Sequence, residues 1–140
     1  MKPNKENIEE YAFKLLKKKN YFIKEFYLKL ISKYEVSEVN RIIKKFILLE
    51  LINDKYLSEM KICYFIHIKM YGRMYIINYF NSKNISYNLI RYLLLKYDDS
   101  IYKKNIEEIK TILLNKNKSL EYINNYLLRK GYNEDEIKNM

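Results

Sequence analysis

The sequence predicts an all-α fold, and three observations carry that prediction. Apolar residues recur mostly at three- and four-residue spacing, the period of a helix face, although Tyr, Ile and Phe would also suit strands. Two glycines and one proline, with Pro3 near the start, leave almost no turn punctuation for a sheet. Ser, Asn or Asp stands where many of the apolar stretches begin, as helix caps do. At 140 residues and 49% hydrophobic, the chain can build one sizeable core or a short array of helical units.

Nine elements follow in order. Tyr11, Leu15 and Leu16 give a first helix, from about Asn7 to Lys19, its apolar face; Phe26, Tyr27, Leu30 and Ile31 serve a second, from about Phe22 to Lys33. A third starts at Ser37 and carries Val39, Ile42, Ile43, Phe46, Ile47 and Leu49. Asn53 and Asp54 open a long helix bearing Leu57, Met60, Tyr64, Ile68 and Tyr71, which Gly72 is expected to end. RMYIINYFNSKN turns Ile76, Ile77 and Phe80 inward, and SYNLIRYLLLKY comes next. Asp98, Asp99 and Ser100 open a helix with Ile106, Ile109, Ile112 and Leu113, and SLEYINNYLLRKGY follows. The last element is a stub. Asn133 caps it, Glu136 reaches back to the cap, and the acidic first turn suits the helix dipole, yet it is too short to hold alone. Ile137 is its expected anchor.

Three turns look alike: LISKYEVSEV, FNSKNISYNL and LLRKGYNEDE, with Lys33, Lys83 and Lys130 spaced by 50 and then 47 residues. Such a period suits three short helices per unit. Asn84 and Gly131 occupy the same place in the second and third turns, and both tolerate the left-handed conformation of a helix end. The first turn reads as one residue longer. The expected architecture is therefore three tandem three-helix repeats in an elongated, curved array: a tail over 1–6, repeats over 7–52 and 53–97, and a short third repeat over 98–140.

The formal charge of +10 and a pI near 9.4 point to an anionic partner, although AT-rich coding also produces a chain heavy in Lys, Asn, Ile and Tyr. The single cysteine, Cys63, excludes an internal disulfide. The start MKPNKENIEE lacks the apolar core of a signal peptide, and Glu50, His67 and Lys69 interrupt the most apolar stretches, so a soluble, cytoplasmic protein is expected.

Three segments resemble a known family in order and at matching spacing. LINDKYLSE at 51–59, YGRMYIINYFNSKNIS at 71–86 and YLLRKGYNEDEI at 126–137 are similar to RecX, the bacterial regulator of the RecA recombinase, and the likeness runs from Tyr11 to Ile137. Arg73 stands where that family commonly has Pro, Asn84 where it has Gly, and Phe22 where a Ser cap is usual. The resemblance implies a monomeric modulator lying in the groove of the RecA filament on single-stranded DNA. It would inhibit ATP hydrolysis, strand exchange and coprotease activity.

Site chemistry is sparse. Gly72 and Gly131 alone cannot write a Walker A or dinucleotide-binding loop, and no cofactor is implied. Cys63 and His67, four apart, supply two ligands at most and read as a small core residue and a helix-surface or boundary residue. Capping explains Asp54, Asp98 and Asp99 better than acid/base catalysis. The expectation is a non-enzymatic protein with no metal.

What remains is a basic surface. A basic residue in a last helical turn complements the dipole without any partner, but recurrence at the corners favours a binding role for the set. The candidate partner-binding residues are Lys69, Arg73, Lys83, Arg91, Arg129 and Lys130. Tyr71, Tyr75, Tyr79, Tyr87 and Tyr92 lie near them and could stack on bases, although most of sixteen tyrosines must serve boundary packing. Weak, salt-dependent binding to single-stranded DNA follows. The alternatives are a generic single-strand binder, or a helix-turn-helix regulator built on INYFNSKNISYNLIRYLL, whose second helix spends Leu89, Ile90, Leu93 and Leu94 on packing.

Overall fold

The computed structural model describes residues 6–138; most of the expected tail, 1–5, lies outside them. Among the described residues the chain forms nine helices and no strand: α1 Ile8–Lys18, α2 Ile23–Ile31, α3 Val36–Leu48, α4 Asp54–His67, α5 Arg73–Ser82, α6 Tyr87–Leu94, α7 Asp99–Asn115, α8 Leu120–Arg129 and α9 Glu134–Lys138. The all-α prediction holds. No helix among the described residues is long and apolar enough to cross a membrane. The chain divides into two compact units between Leu57 and Ser58, inside α4.

In the first unit Leu15, Phe26, Leu30, Val39, Ile42 and Phe46 form the core as expected, joined by Ala12, while Tyr11 and Leu16 pack against it partly buried. Ile47 and Leu49, expected inside, are exposed. Phe22 has no side-chain acceptor with which to cap α2, and two carboxylates replace it. Glu25 Oε1 accepts the Phe22 amide at 3.2 Å, and Asp54 Oδ1 accepts the Ile23 amide at 2.8 Å. Asp54 thus caps α2, while Asn53 Oδ1 caps α4 by accepting the Tyr56 amide. The third helix begins earlier than expected. The Lys33 and Tyr34 amides both return to the Leu30 carbonyl, closing the turn quickly, so Glu35 is the N-cap and Ser37 lies within α3.

Five helix ends share one device. Glu50, Met70, Asn84, Asn117 and Gly131 adopt positive φ, and the next amide reaches back five residues, as from Leu51 to Phe46 and Tyr132 to Leu127, or six in the case of Tyr71 to Phe65. This satisfies a carbonyl the helix would otherwise leave open, at a conformational cost of about 1 kcal/mol for a residue with a Cβ.

Two expectations for α4 are corrected. Its inward stripe is Leu57, Ile62, Phe65 and Ile66, while Met60, Tyr64 and Ile68 are exposed. Apolar and polar residues alternate around the helix without a distinct apolar face, so periodicity alone could not choose the inward side. Nor does Gly72 end it: α4 stops at His67, Met70 supplies the left-handed residue, and Gly72 is the N-cap of α5.

The second unit ties α9 down as the sequence requires. Asn133 Oδ1 accepts the Glu136 amide at 2.7 Å and Glu136 Oε1 accepts the Asn133 amide at 3.0 Å. Ile137 is buried, a contribution of about 1.5–3 kcal/mol, and Lys110 Nζ donates to its carbonyl at 3.2 Å. Buried Asn105 donates to the Ile66 carbonyl at 2.8 Å, and Tyr132 Oη donates to the Met70 carbonyl at 2.7 Å, so α7 and the α8–α9 turn both satisfy the end of α4.

Candidate functional site

The end of α4, the length of α5 and the end of α8 together build an aromatic and cationic surface in the second unit. Phe65 is its root. Tyr71, Tyr75 and Tyr79 meet the Phe65 ring edge-on at centroid distances of 5.4, 6.0 and 4.9 Å. The i, i+4 spacing on α5 places Tyr75 and Tyr79 on one face, and Tyr71 stacks on Tyr75 at 3.6 Å. The hydrogen bond with Tyr75, with partial burial added, pushes the Tyr71 phenol up to about 12, so it remains neutral at physiological pH.

Lysines sit over these rings. Lys130 Nζ lies 4.7 Å from the Tyr71 centroid and 5.6 Å from that of Tyr126, Lys69 lies 5.9 Å from Tyr64, and Lys61 and Lys83 lie 5.7 and 5.8 Å from Tyr79. Cation–π attraction holds each ammonium near an aromatic face while leaving it positive. Such a surface can offer ring faces to flat ligands and ammonium groups to phosphates or carboxylates.

Of the six candidate residues, Lys69, Lys83 and Lys130 come together here. Lys130 is also structural, because its ammonium donates to the Lys69 carbonyl at 3.0 Å. Arg129 is exposed in the last turn of α8, and Arg91 is exposed on α6 beside a separate groove. Arg73 is corrected. Its guanidinium pairs with Asp99 at 2.5 Å and Glu136 at 3.5 Å and lies 4.1 Å over the ring of buried Tyr102, so it fastens α5 to α7 and α9.

Tyr87 and Tyr92 stand apart on α6, both exposed. Lys61 and Tyr126 belong to the surface but were not singled out from the sequence, and Tyr64 was expected to face inward; the i, i+4 pair Tyr126 and Lys130 was a readable signal. Cys63, expected in the core, is exposed, as is His67. Asp98 caps α7 by accepting the Ser100 amide at 3.0 Å; bonds from the Ser100 side chain and amide hold its carboxyl below the usual range. Asp99 is Arg73's partner. Among the described residues no group of three His, Cys, Asp or Glu side chains could hold a metal ion.

No family model matches the chain, and no curated protein matches it. Solved structures do. RecX from Lactobacillus salivarius is similar at 24% identity, covering 94% of this chain and 90% of that one, with a TM-score of 0.79. A regulatory protein RecX is similar at 17% identity, covering 95% of this chain and 70% of that one, with a TM-score of 0.77. The helices and connections described above are therefore arranged in the RecX fold.

Proposed function

We propose that this chain is a RecX-family regulator. It acts in the cytoplasm as a monomer without enzymatic activity, binds the RecA filament on single-stranded DNA, and inhibits ATP hydrolysis, strand exchange and coprotease activity. On this reading the nine helices are three repeats, over 7–52, 53–97 and 98–140. The likeness to RecX structures over nearly the whole chain supports the family. The observation that carries the binding role is the gathering of Lys61, Lys69, Lys83 and Lys130 on the tyrosines around Phe65, which suits a filament presenting phosphates and acidic groups.

Co-sedimentation with recombinase filaments on oligothymidylate, against bare oligothymidylate, tests this reading. Tight binding to filaments and weak binding to bare DNA are expected. Four lysine–phosphate contacts would give log affinity for bare single strands a slope of about −3 against log salt. Tight, sequence-specific binding to duplex DNA at physiological salt would support a helix-turn-helix regulator instead.

A further inference from the structure

Beside α5 and α6 opens a groove of about 260 Å³ that belongs to no surface described above. Ile77, Leu94 and Leu95 give it apolar walls, Tyr87 and Tyr97 add phenols, and Arg91 supplies charge. Arg73 also lines it, but its guanidinium is committed to Asp99 and Glu136. No carboxylate lines the groove. Arg91 pairs with no acidic group among the described residues, and it stands beside unusually open apolar surface: Leu95 is 77% exposed and Tyr87 54%.

This combination selects an occupant. A guanidinium fork matches a carboxylate in plane and in spacing, and aliphatic walls of this size accept one or two large apolar side chains. A nucleic-acid strand requires a row of cations along its backbone and flat aromatic faces for its bases. Here a single uncommitted cation lines the groove, and three aliphatic side chains outnumber its two phenols. We propose that the α5–α6 groove binds an acidic peptide segment of a partner protein, with an apolar side chain on Ile77, Leu94 and Leu95 and a neighbouring carboxylate on Arg91. This goes beyond the filament reading, because it concerns peptide recognition whichever protein carries the segment.

The test is an amide-resolved NMR titration of the full chain with a capped tetrapeptide, Asp-Leu-Phe-Asp, at millimolar concentration. Saturable shifts centred on Ile77, Arg91, Leu94 and Leu95 are expected, with none from Lys-Leu-Phe-Lys. Arg91→Glu should weaken binding about tenfold or more while leaving distant amides unmoved, and Arg91→Lys should restore only part of it. Absence of groove shifts, or equal shifts from the lysine peptide, overturns the proposal. So does a titration in which oligothymidylate perturbs the groove as strongly as it perturbs Tyr71 and Tyr79, which would make the groove a nucleic-acid contact.

Discussion

Gly72 and Gly131, the two glycines of the chain, pack backbone against backbone. The Gly72 amide donates to the Lys130 carbonyl at 2.8 Å and the Met74 amide to the Gly131 carbonyl at 3.2 Å, which splices the start of α5 to the end of α8. A Cβ on Gly72 would press on the Gly131 carbonyl and come within 2.7 Å of the Tyr132 nitrogen. One on Gly131 would lie 2.5 Å from the Tyr75 nitrogen, at a φ of +101° that side chains rarely adopt. Gly72→Ala should cost about 1–3 kcal/mol, and Gly131→Ala at least as much. Urea melts measure the loss, and hydrogen exchange should localise it to α5, α8 and α9; unchanged melts would contradict the splice.

Two buried tyrosines should respond oppositely to loss of the hydroxyl. Tyr132 Oη holds the carbonyl of left-handed Met70, so Tyr132→Phe should destabilise by about 1 kcal/mol. Tyr102 is 1% exposed and its hydroxyl lacks a partner among the described residues, so Tyr102→Phe should be neutral or stabilising. Burial raises both phenols, that of Tyr102 to about 12. A Tyr102→Phe variant weakened as much as Tyr132→Phe would show that the hydroxyl has a partner after all.

Arg73→Ala should cost about 1–2 kcal/mol, because it strips the ring of Tyr102 and leaves the mostly buried carboxylate of Glu136 without its cation. Asp99→Ala should matter far less, since that carboxylate is 79% exposed. Parallel thermal melts compare them, and equal effects would refute the division of labour.

The legible parts of this fold are those where one force acts alone. Caps at Asn7, Ser86, Asp98 and Ser119, the capping box of α9 and the apolar stripe of α3 from Val39 to Phe46 are local, and the residues announce them. Left-handed ends were readable at Asn84 and Gly131 but hidden at Glu50 and Met70, where the turn overrides propensity. The site was half legible. That Lys69, Lys83 and Lys130 lie near one another follows from the recurring turns, but the engagement of Arg73 with Asp99 and Glu136 was not readable, because they are distant in sequence and only packing brings them near.

Asp54 and Asp98 should leave opposite marks on the pH dependence of stability. Burial raises the Asp54 carboxyl above its usual 3.8, so its stabilisation is fullest below that value and declines as pH rises through the raised one. Asp98 is lowered by Ser100, so its contribution is present above 3.8 and lost as pH falls through the lowered value. Asp98→Asn should remove that acid-side loss. Asp54→Asn, which keeps an acceptor for the Ile23 amide, should be at least as stable as the parent at pH 7, whereas Asp54→Ala should lose about 1 kcal/mol. Urea titrations from pH 2 to 7 decide it; a destabilised Asp54→Asn at pH 7 would contradict the assignment.

If the lysines around Phe65 engage a recombinase filament, as proposed, their loss should show in ATP hydrolysis by that filament on single-stranded DNA. Lys69→Ala with Lys83→Ala removes two charges while leaving the backbone bonds at those positions in place, and Lys17→Ala with Lys18→Ala removes the same charge from α1. The parent chain should suppress hydrolysis, the α1 variant should match it, and the Lys69/Lys83 variant should need about tenfold more protein for half-inhibition, a binding loss of about 1.4 kcal/mol. Equal loss in both variants, or no suppression by the parent chain, would contradict the account.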